Sequence, residues 1–272
     1  MGTKNDQYEH ERLLQMLTRL KLPTVKEQLD SLADEASRSK MSYRQFLSMV
    51  CEREVTAKNE RRVQMGSKLA RFPFVRTLED FDFKAQPSVD SKRIKELACC
   101  RWVAHGDNVL LLGPPGVGKT HLAVALGYEA IKQGYRVMFT QAVGLMSQLL
   151  SAHQDGKLEE KLKALCKPSL LIVDELGYLP FDRKASYLFF QLIARRYERG
   201  SLILTGNRAV GEWGDVFGDA VLATAILDRV LHHSHVLTIR GQSYRLREKR
   251  RSGLLQAPAI EAEPIIDRGV NS

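Results

Sequence analysis

Cysteine is scarce and unpaired in this chain. Cys51, Cys99, Cys100 and Cys166 are the four among 272 residues, and no two stand in C-x-x-C spacing. A metal or redox framework is therefore not indicated, and adjacent Cys99 and Cys100 read as ordinary buried residues of a helix in a reducing cytoplasm. No apolar run approaches the ~20 residues of a membrane span, so no membrane partner is expected. Met1 to His10 is polar and has no signal-peptide core, and Asp6 stands where an acylation pattern needs Ser or Thr. Internal repeats and zinc-finger or other base-reading motifs are also missing. His232, His233 and His235 have no Cys or acid at ligand spacing, so no metal is expected there. Acids are in the minority: 41 Lys and Arg face 32 Asp and Glu, a formal +9. Such a chain suits a polyanionic partner. The excess is local, because residues 68–250 hold 27 basic against 19 acidic side chains, while 1–67 hold 12 against 10.

What the chain does have is Gly113-Pro114-Pro115-Gly116-Val117-Gly118-Lys119-Thr120, a match to G-x-x-x-x-G-K-[ST]. The apolar run NVLLL before it reads as a buried strand, and His121 to Ile131 reads as a helix, which is the order a phosphate-binding loop needs. The glycines let the backbone wrap a polyphosphate, and amides at the helix start face the phosphates with the dipole in their favour. Lys119 supplies charge to the β and γ oxygens, and the Thr120 hydroxyl suits Mg2+. Residues 113–120 with His121 are thus the expected nucleoside-triphosphate-binding set.

Residues 8 to about 67 show helical patterning and no strand signal. Leu13, Leu14, Leu17 and Leu20 recur at helical spacing, Pro23 interrupts, and Val25, Leu29 and Leu32 resume it. Ser42 and Gln45 make a capping box ahead of Phe46. Two readings of this module stand side by side. It is a packing or oligomerisation appendage, or it binds DNA or a partner through Arg53, Lys58, Arg61 and Arg62. Phe72-Pro73 marks a boundary, and TLEDFDF at 77–83 leads into the next domain. Helices are expected over 91–105, 143–152, 157–166 and 184–198, with strands at 135–140, 170–173 and 202–204. Strands alternating with helices after a phosphate loop predict an α/β fold, a parallel sheet with helices on both faces. The domains expected are 1–67, helical; 68–250, nucleotide-binding; and 251–272, a mobile tail.

The strand Leu170 to Val173 ends in Asp174 and Glu175. An Asp there holds Mg2+, and a neighbouring Glu can activate the attacking water. The strand at 202–204 ends in Thr205-Gly206-Asn207, where Asn207 either reaches the γ-phosphate or lytic water or merely caps the turn.

Taken together, NVLLLGPPGVGKTHLAVALG at 108–127, LLIVDELGYLP at 170–180, EWGDVFGD at 212–219, AILDRVLHH at 225–233 and GQSYR at 241–245 resemble the IstB-like ATP-binding proteins, helper ATPases of insertion-sequence transposition. These belong to the AAA+ group and are relatives of DnaC-type helicase loaders. The resemblance runs from about residue 10 to 250. One departure is Gly206, where the family usually has Ser.

The resemblance implies a role for Asn207 as sensor 1 and for Arg229 as an arginine finger reaching the γ-phosphate of a neighbouring subunit. An ion pair of Arg229 with Asp228 or another acid is the alternative. It implies an AAA+ sheet whose chain ends too soon after 250 for a C-terminal helical lid, and a bacterial cytoplasmic location. Lys157, Lys161, Lys163, Arg183, Lys184, Arg195 and Arg196, with Arg61 and Arg62, are the candidate contacts to DNA phosphates. The function implied is an ATPase that oligomerises on duplex target DNA, without sequence preference, and presents it to a transposase. A helicase loader and a nucleotide-gated DNA scaffold with negligible turnover are the alternatives.

Overall fold

The computed structural model describes residues 2–244 and 246. The tail at 251–272 and the question of a lid lie outside them. Three helices lead: α1 (Gly2–Arg19), α2 (Pro23–Arg38) and α3 (Tyr43–Ala70). Pro23 opens α2 at its first position, where its missing N–H costs nothing. The Ser42–Gln45 capping box is formed, with both reciprocal hydrogen bonds present. Leu17, Val25 and Leu32 are buried as the periodicity requires, whereas Leu13 and Leu20 face outward.

A carboxylate ties these helices together. Glu54 of α3 is 3% exposed and accepts the backbone N–H of Val25 at 3.0 Å, so it caps the amide-rich start of α2. Arg61, two turns further along α3, donates to Thr24 Oγ1 at 2.6 Å. The helix α3 then runs unbroken through Ser67 and Lys68 to Ala70, and its last turns pack on the core.

That core is a five-stranded parallel sheet built from β1 (Asn108–Leu112), β2 (Val137–Gln141), β3 (Leu170–Leu176), β4 (Ser201–Gly206) and β5 (Ser234–Thr238), in the order β2-β3-β4-β1-β5. Strand side chains alternate between faces, and both faces are dry. Val109, Leu111, Leu170, Ile172 and Ile203 meet α4 (Ser91–Ala98), α5 (Arg101–His105) and α6 (Lys119–Lys132) on one side. Leu110, Leu112, Leu171, Val173 and Leu204 meet α7 (Ala142–Gln154), α8 (Leu158–Cys166), α9 (Arg183–Arg196), α10 (Trp213–Phe217) and α11 (Ala220–Leu231) on the other. Each fully buried aliphatic contributes about 1.5–3 kcal/mol. The layers are those expected of an α/β phosphate-loop fold.

Three local differences have physical causes. The helix expected over 91–105 is two, because Cys100 turns left-handed at φ +52° and the Trp102 indole N–H caps the first at Leu97 O, 2.8 Å away. Only Cys100 of the adjacent pair is buried, its thiol pushed up to about 12 by burial, while Cys99 is exposed. The edge strand β5 carries no continuous apolar run and was not expected; pairing with β1 makes it a strand.

If Glu54 is the tie described, Glu54→Ala should weaken the packing of α1 to α3 by about 1–3 kcal/mol. Amide exchange across α2 should quicken while α6 keeps its protection. Unchanged exchange in α2 would show that the carboxylate is dispensable.

Candidate functional site

Parallel strands all end on the same side of the sheet, and the phosphate loop leaves β1 there. It wraps a cavity of 470 Å³ lined by Pro115 to His121, Glu175, Tyr178, Thr205, Gly206 and Asn207, and on the far side by Phe74, Arg76, Phe81, Gln86 and Tyr244. The loop's path demands glycine. Gly118 sits at φ +97°, and a Cβ there would lie 2.6 Å from the Phe81 ring; Gly113 sits at φ +151°, where a Cβ would be 2.2 Å from the Ile239 carbonyl. Gly113 also donates its N–H to Gly206 O at 3.1 Å, so the loop is anchored to the neighbouring strand.

The Lys119 ammonium lies over the loop, 2.7 Å from Gly113 O and 2.8 Å from Pro114 O. Those carbonyls hold it where polyphosphate oxygens would compete for the same three protons. His121 lines the cavity, but its ring is bound to Thr77 O at 2.9 Å and packs edge-on against Phe81. It therefore fastens the segment 77–83 to the loop helix. Backbone and side-chain hydrogen bonds from Thr77 in turn hold the Asp80 carboxyl below its usual range.

Asp174 is 3% exposed, and both its oxygens accept from Thr120 Oγ1 at 3.0 Å. The Thr205 hydroxyl donates to Asp174 Oδ1 and accepts the Glu175 N–H at 2.9 Å. Between the pairs Val173↔Leu204 and Leu176↔Gly206, two residues of β3 face one of β4, so Asp174 and Glu175 form a bulge opposite Thr205. Glu175 is left-handed at φ +62°, which costs a non-glycine residue about 1–3 kcal/mol, and its exposed carboxylate lines the cavity. Regular alternation would send successive side chains to opposite faces of the sheet; at the bulge Asp174 is buried against Thr120 and Thr205, and Glu175 next to it lines the cavity.

The donor set fits Mg2+. A buried carboxylate and a threonine hydroxyl are hard oxygen ligands, and Asp174 makes no ion pair among the described residues. Gly206 leaves little room for the usual serine, since a Cβ would stand 3.1 Å from Leu176 O and 3.4 Å from a Leu112 methyl. Asn207 is exposed on the cavity wall.

Arg229 is not at this chain's own cavity. It donates to Ala225 O at 2.9 Å, its guanidinium carbon lies 4.8 Å from the Phe190 ring centroid, and it makes no ion pair with Asp228 among the described residues. The candidate DNA-facing cations separate into kinds. Arg196 is wrongly placed among them: it is 1% exposed, donates to the carbonyls of Leu165, Pro168, Ser169 and Ser201, and burial pulls its guanidinium down to about 10. It joins loops at the start of the sheet and cannot reach a phosphate. Arg195 and Lys163 share Glu159, Arg183 pairs with Asp219, and Lys161 bonds Gln148. Lys157 and Lys184 are exposed. Arg62 binds Lys132 O at 3.0 Å. The histidine run does have an acid beside it in space: Glu198, His232 and His233 offer atoms within 4.8 Å of one another, all on exposed residues.

Thr205 belongs to the site without belonging to a nucleotide motif. Its signal is positional, a hydroxyl ending the strand next to the one that carries Asp174. Phe74 to Gln86 and Tyr244 likewise carry no nucleotide motif, yet they close the cavity, with Gln86 bonded to Val117 O at 3.1 Å and the Tyr244 N–H to Gly116 O at 2.9 Å.

The profile of the IstB-like ATP binding protein family matches residues 15–252. The insertion sequence IS5376 putative ATP-binding protein of Geobacillus stearothermophilus is 49% identical over 240 residues, 88% of this chain and 96% of that one. The IS21 putative ATP-binding protein of Pseudomonas aeruginosa is 48% identical over 240 residues, 88% and 91% of the two chains. Among solved structures, DnaI superposes with a TM-score of 0.51 at 25% identity, over 64% of this chain and 93% of its own. A DNA replication initiation factor gives a TM-score of 0.51 at 23% identity, over 66% and 55%, a likeness of fold. The chain belongs to the family of IstB-like ATP-binding proteins, the P-loop AAA+ proteins of insertion sequences.

Proposed function

We propose that this protein is a Mg2+-dependent ATPase that assembles on duplex target DNA in its ATP-bound form and delivers that DNA to a transposase in the bacterial cytoplasm. One observation carries the catalytic part: Asp174, a buried carboxylate bonded to the Thr120 hydroxyl of the phosphate loop, is followed by Glu175, which is left-handed and lines the cavity beside Thr120. A site for binding alone has no need of the second acid.

In this reading the loop amides and Lys119 hold the triphosphate, and Thr120 and Asp174 hold the metal, which would neutralise charge developing on the transferred phosphoryl group. Glu175 takes the proton of the attacking water, and Asn207 orients that water or the γ-phosphate. Arg229, ordered on Phe190 and away from its own cavity, is offered to the site of a neighbouring subunit. The site is thereby shared, and nucleotide occupancy favours assembly. Residues 68–250 form the ATPase domain, and the helices of residues 1–67 bind the partner or DNA. Lys157 and Lys184 are the foremost phosphate contacts, followed by Arg183, Lys161, Lys163 and Arg195, which must first exchange their present partners.

A helicase-loading role is the second reading, prompted by the likeness to DnaI. Relatives from insertion sequences match at 49% and 48% identity over 88% of the chain, against 25% for DnaI over 64%, and so transposition is preferred.

Lys119→Ala should raise the dissociation constant for ATP roughly 10–100-fold, the loss of charge-assisted bonds to phosphate, and with it remove ATP-dependent retention on duplex DNA in a filter or gel assay. Undiminished retention would separate DNA assembly from ATP. Arg229→Ala should keep ATP affinity within about threefold while turnover drops by about 10³, the scale of an arginine finger. Mixing it with Glu175→Gln protein should restore part of the turnover, since some interfaces then pair an intact Glu175 with an intact Arg229. Absence of recovery over a range of mixing ratios would count against a shared site.

A further inference from the structure

The hydroxyl of Thr205 touches both acids of the site and faces no nucleotide motif of its own. Thr205 is 1% exposed at the end of β4. Its proton goes to Asp174 Oδ1 and its lone pair receives the N–H of Glu175, so one side-chain atom fills the gap that the β3 bulge leaves in the sheet ladder. Bonding has a direction here: Glu175 N–H to Thr205 Oγ1, Thr205 O–H to Asp174.

We infer that Thr205 is a positioning residue that sets the metal-holding carboxylate and the water-activating carboxylate as a single unit. The inference rests on the proposed roles of Asp174 and Glu175. Two physical consequences follow from the bonds. Among the described residues Asp174 has only hydroxyl donors, from Thr120 and Thr205; removing the second leaves the Thr120 hydroxyl, shared between Oδ1 and Oδ2, as the remaining hydrogen bond that orients the carboxylate. Glu175 holds a left-handed conformation that its own side chain disfavours, and the Thr205 acceptor is what its N–H gains there. Without that acceptor the backbone is free to relax toward regular strand geometry, which turns the Glu175 side chain out of the cavity. Partners of this kind, one bond removed from a metal, change metal affinity or activity by about 10–100-fold when lost.

Thr205→Val keeps the shape and removes the hydroxyl, while Thr205→Ser keeps the hydroxyl and removes the methyl. The probe is a fluorescent non-hydrolysable ATP analogue, titrated with full-length protein in EDTA and then with rising Mg2+. Thr205→Val should bind the analogue in EDTA within about threefold of the parent, yet need about 10–100-fold more Mg2+ to reach the tight-binding form. Its kcat should stay depressed at saturating Mg2+ with KM little changed, because Glu175 is no longer held. Thr205→Ser should match the parent in both measurements. A purely structural role would lower affinity in EDTA and in Mg2+ alike, and Ser would fare no better than Val; either result overturns the inference, and the Ser arm decides even if the Val protein does not fold. Asp174→Asn run in parallel keeps the two ideas apart. If it leaves the Mg2+ midpoint in place, the metal role of Asp174 itself is wrong. If it shifts the midpoint and Thr205→Val does not, Thr205 is not the positioning residue.

Discussion

A charged carboxylate held out of water is the constraint around which the site is built. Asp174 is 3% exposed, and an ion in that position is tolerated only when its oxygens are hydrogen-bonded. The donors come from two different elements, Thr120 at the start of α6 and Thr205 at the end of β4. Satisfying one buried charge therefore fixes the phosphate-loop helix, β3 and β4 relative to one another. The Gly113 amide on the Gly206 carbonyl closes the same circuit through the backbone. Loop and acids cannot drift independently, which is the preorganisation that electrostatic catalysis requires.

How much of this could be read from residues alone depended on how local each cause was. The phosphate loop was legible because its backbone demands are met by glycines within eight consecutive positions. Asp174 and Glu175 were legible because an apolar strand ends in them. Thr205 was not, since its importance comes from facing a bulge on a strand 31 residues away in sequence. The wall formed by Phe74 to Gln86 has the same character: His121 meets Thr77 across 44 positions and Gln86 meets Val117 across 31. Local patterns carry no record of such pairings. Charge is the least legible property of all. Arg195 and Arg196 are adjacent on one helix, but one faces solvent and a glutamate while the other is enclosed by four carbonyls.

The N-terminal helices raise a related point about where one unit ends. Composition changes near residue 67, but α3 continues to Ala70, which is fully buried in the sheet's core. At Gly66 a Cβ would lie 2.6 Å from a methyl of Ile131, so the helix approaches α6 as closely as its backbone allows. Arg62 adds a bond to the Lys132 carbonyl at the end of α6. The helix that carries Glu54 and Arg61 along its middle is thus seated by its last turns on the helix that begins with Lys119. Contacts made along α3 and contacts made by the nucleotide fall on two packed helices, not on two bodies joined by a slack linker.

On the proposed role of Arg229 in trans, the site is half of a larger one. Its guanidinium is already ordered, stacked on Phe190 and bonded one helical turn back to Ala225. A long cation left to wander would lose roughly 2 kcal/mol of rotamer entropy on docking, and ordering beforehand reduces that loss. Ordered there, it is not part of its own cavity, whose lining includes Lys119 and Asn207. If a second subunit docks α11 against that cavity, the nucleotide comes to lie between two chains and contacts both. Any ligand so placed stabilises the assembled form over the separate one by mass action. Hydrolysis, by removing the phosphate that Arg229 would contact, then weakens the junction, and the same few side chains govern both the chemistry and the lifetime of the assembly.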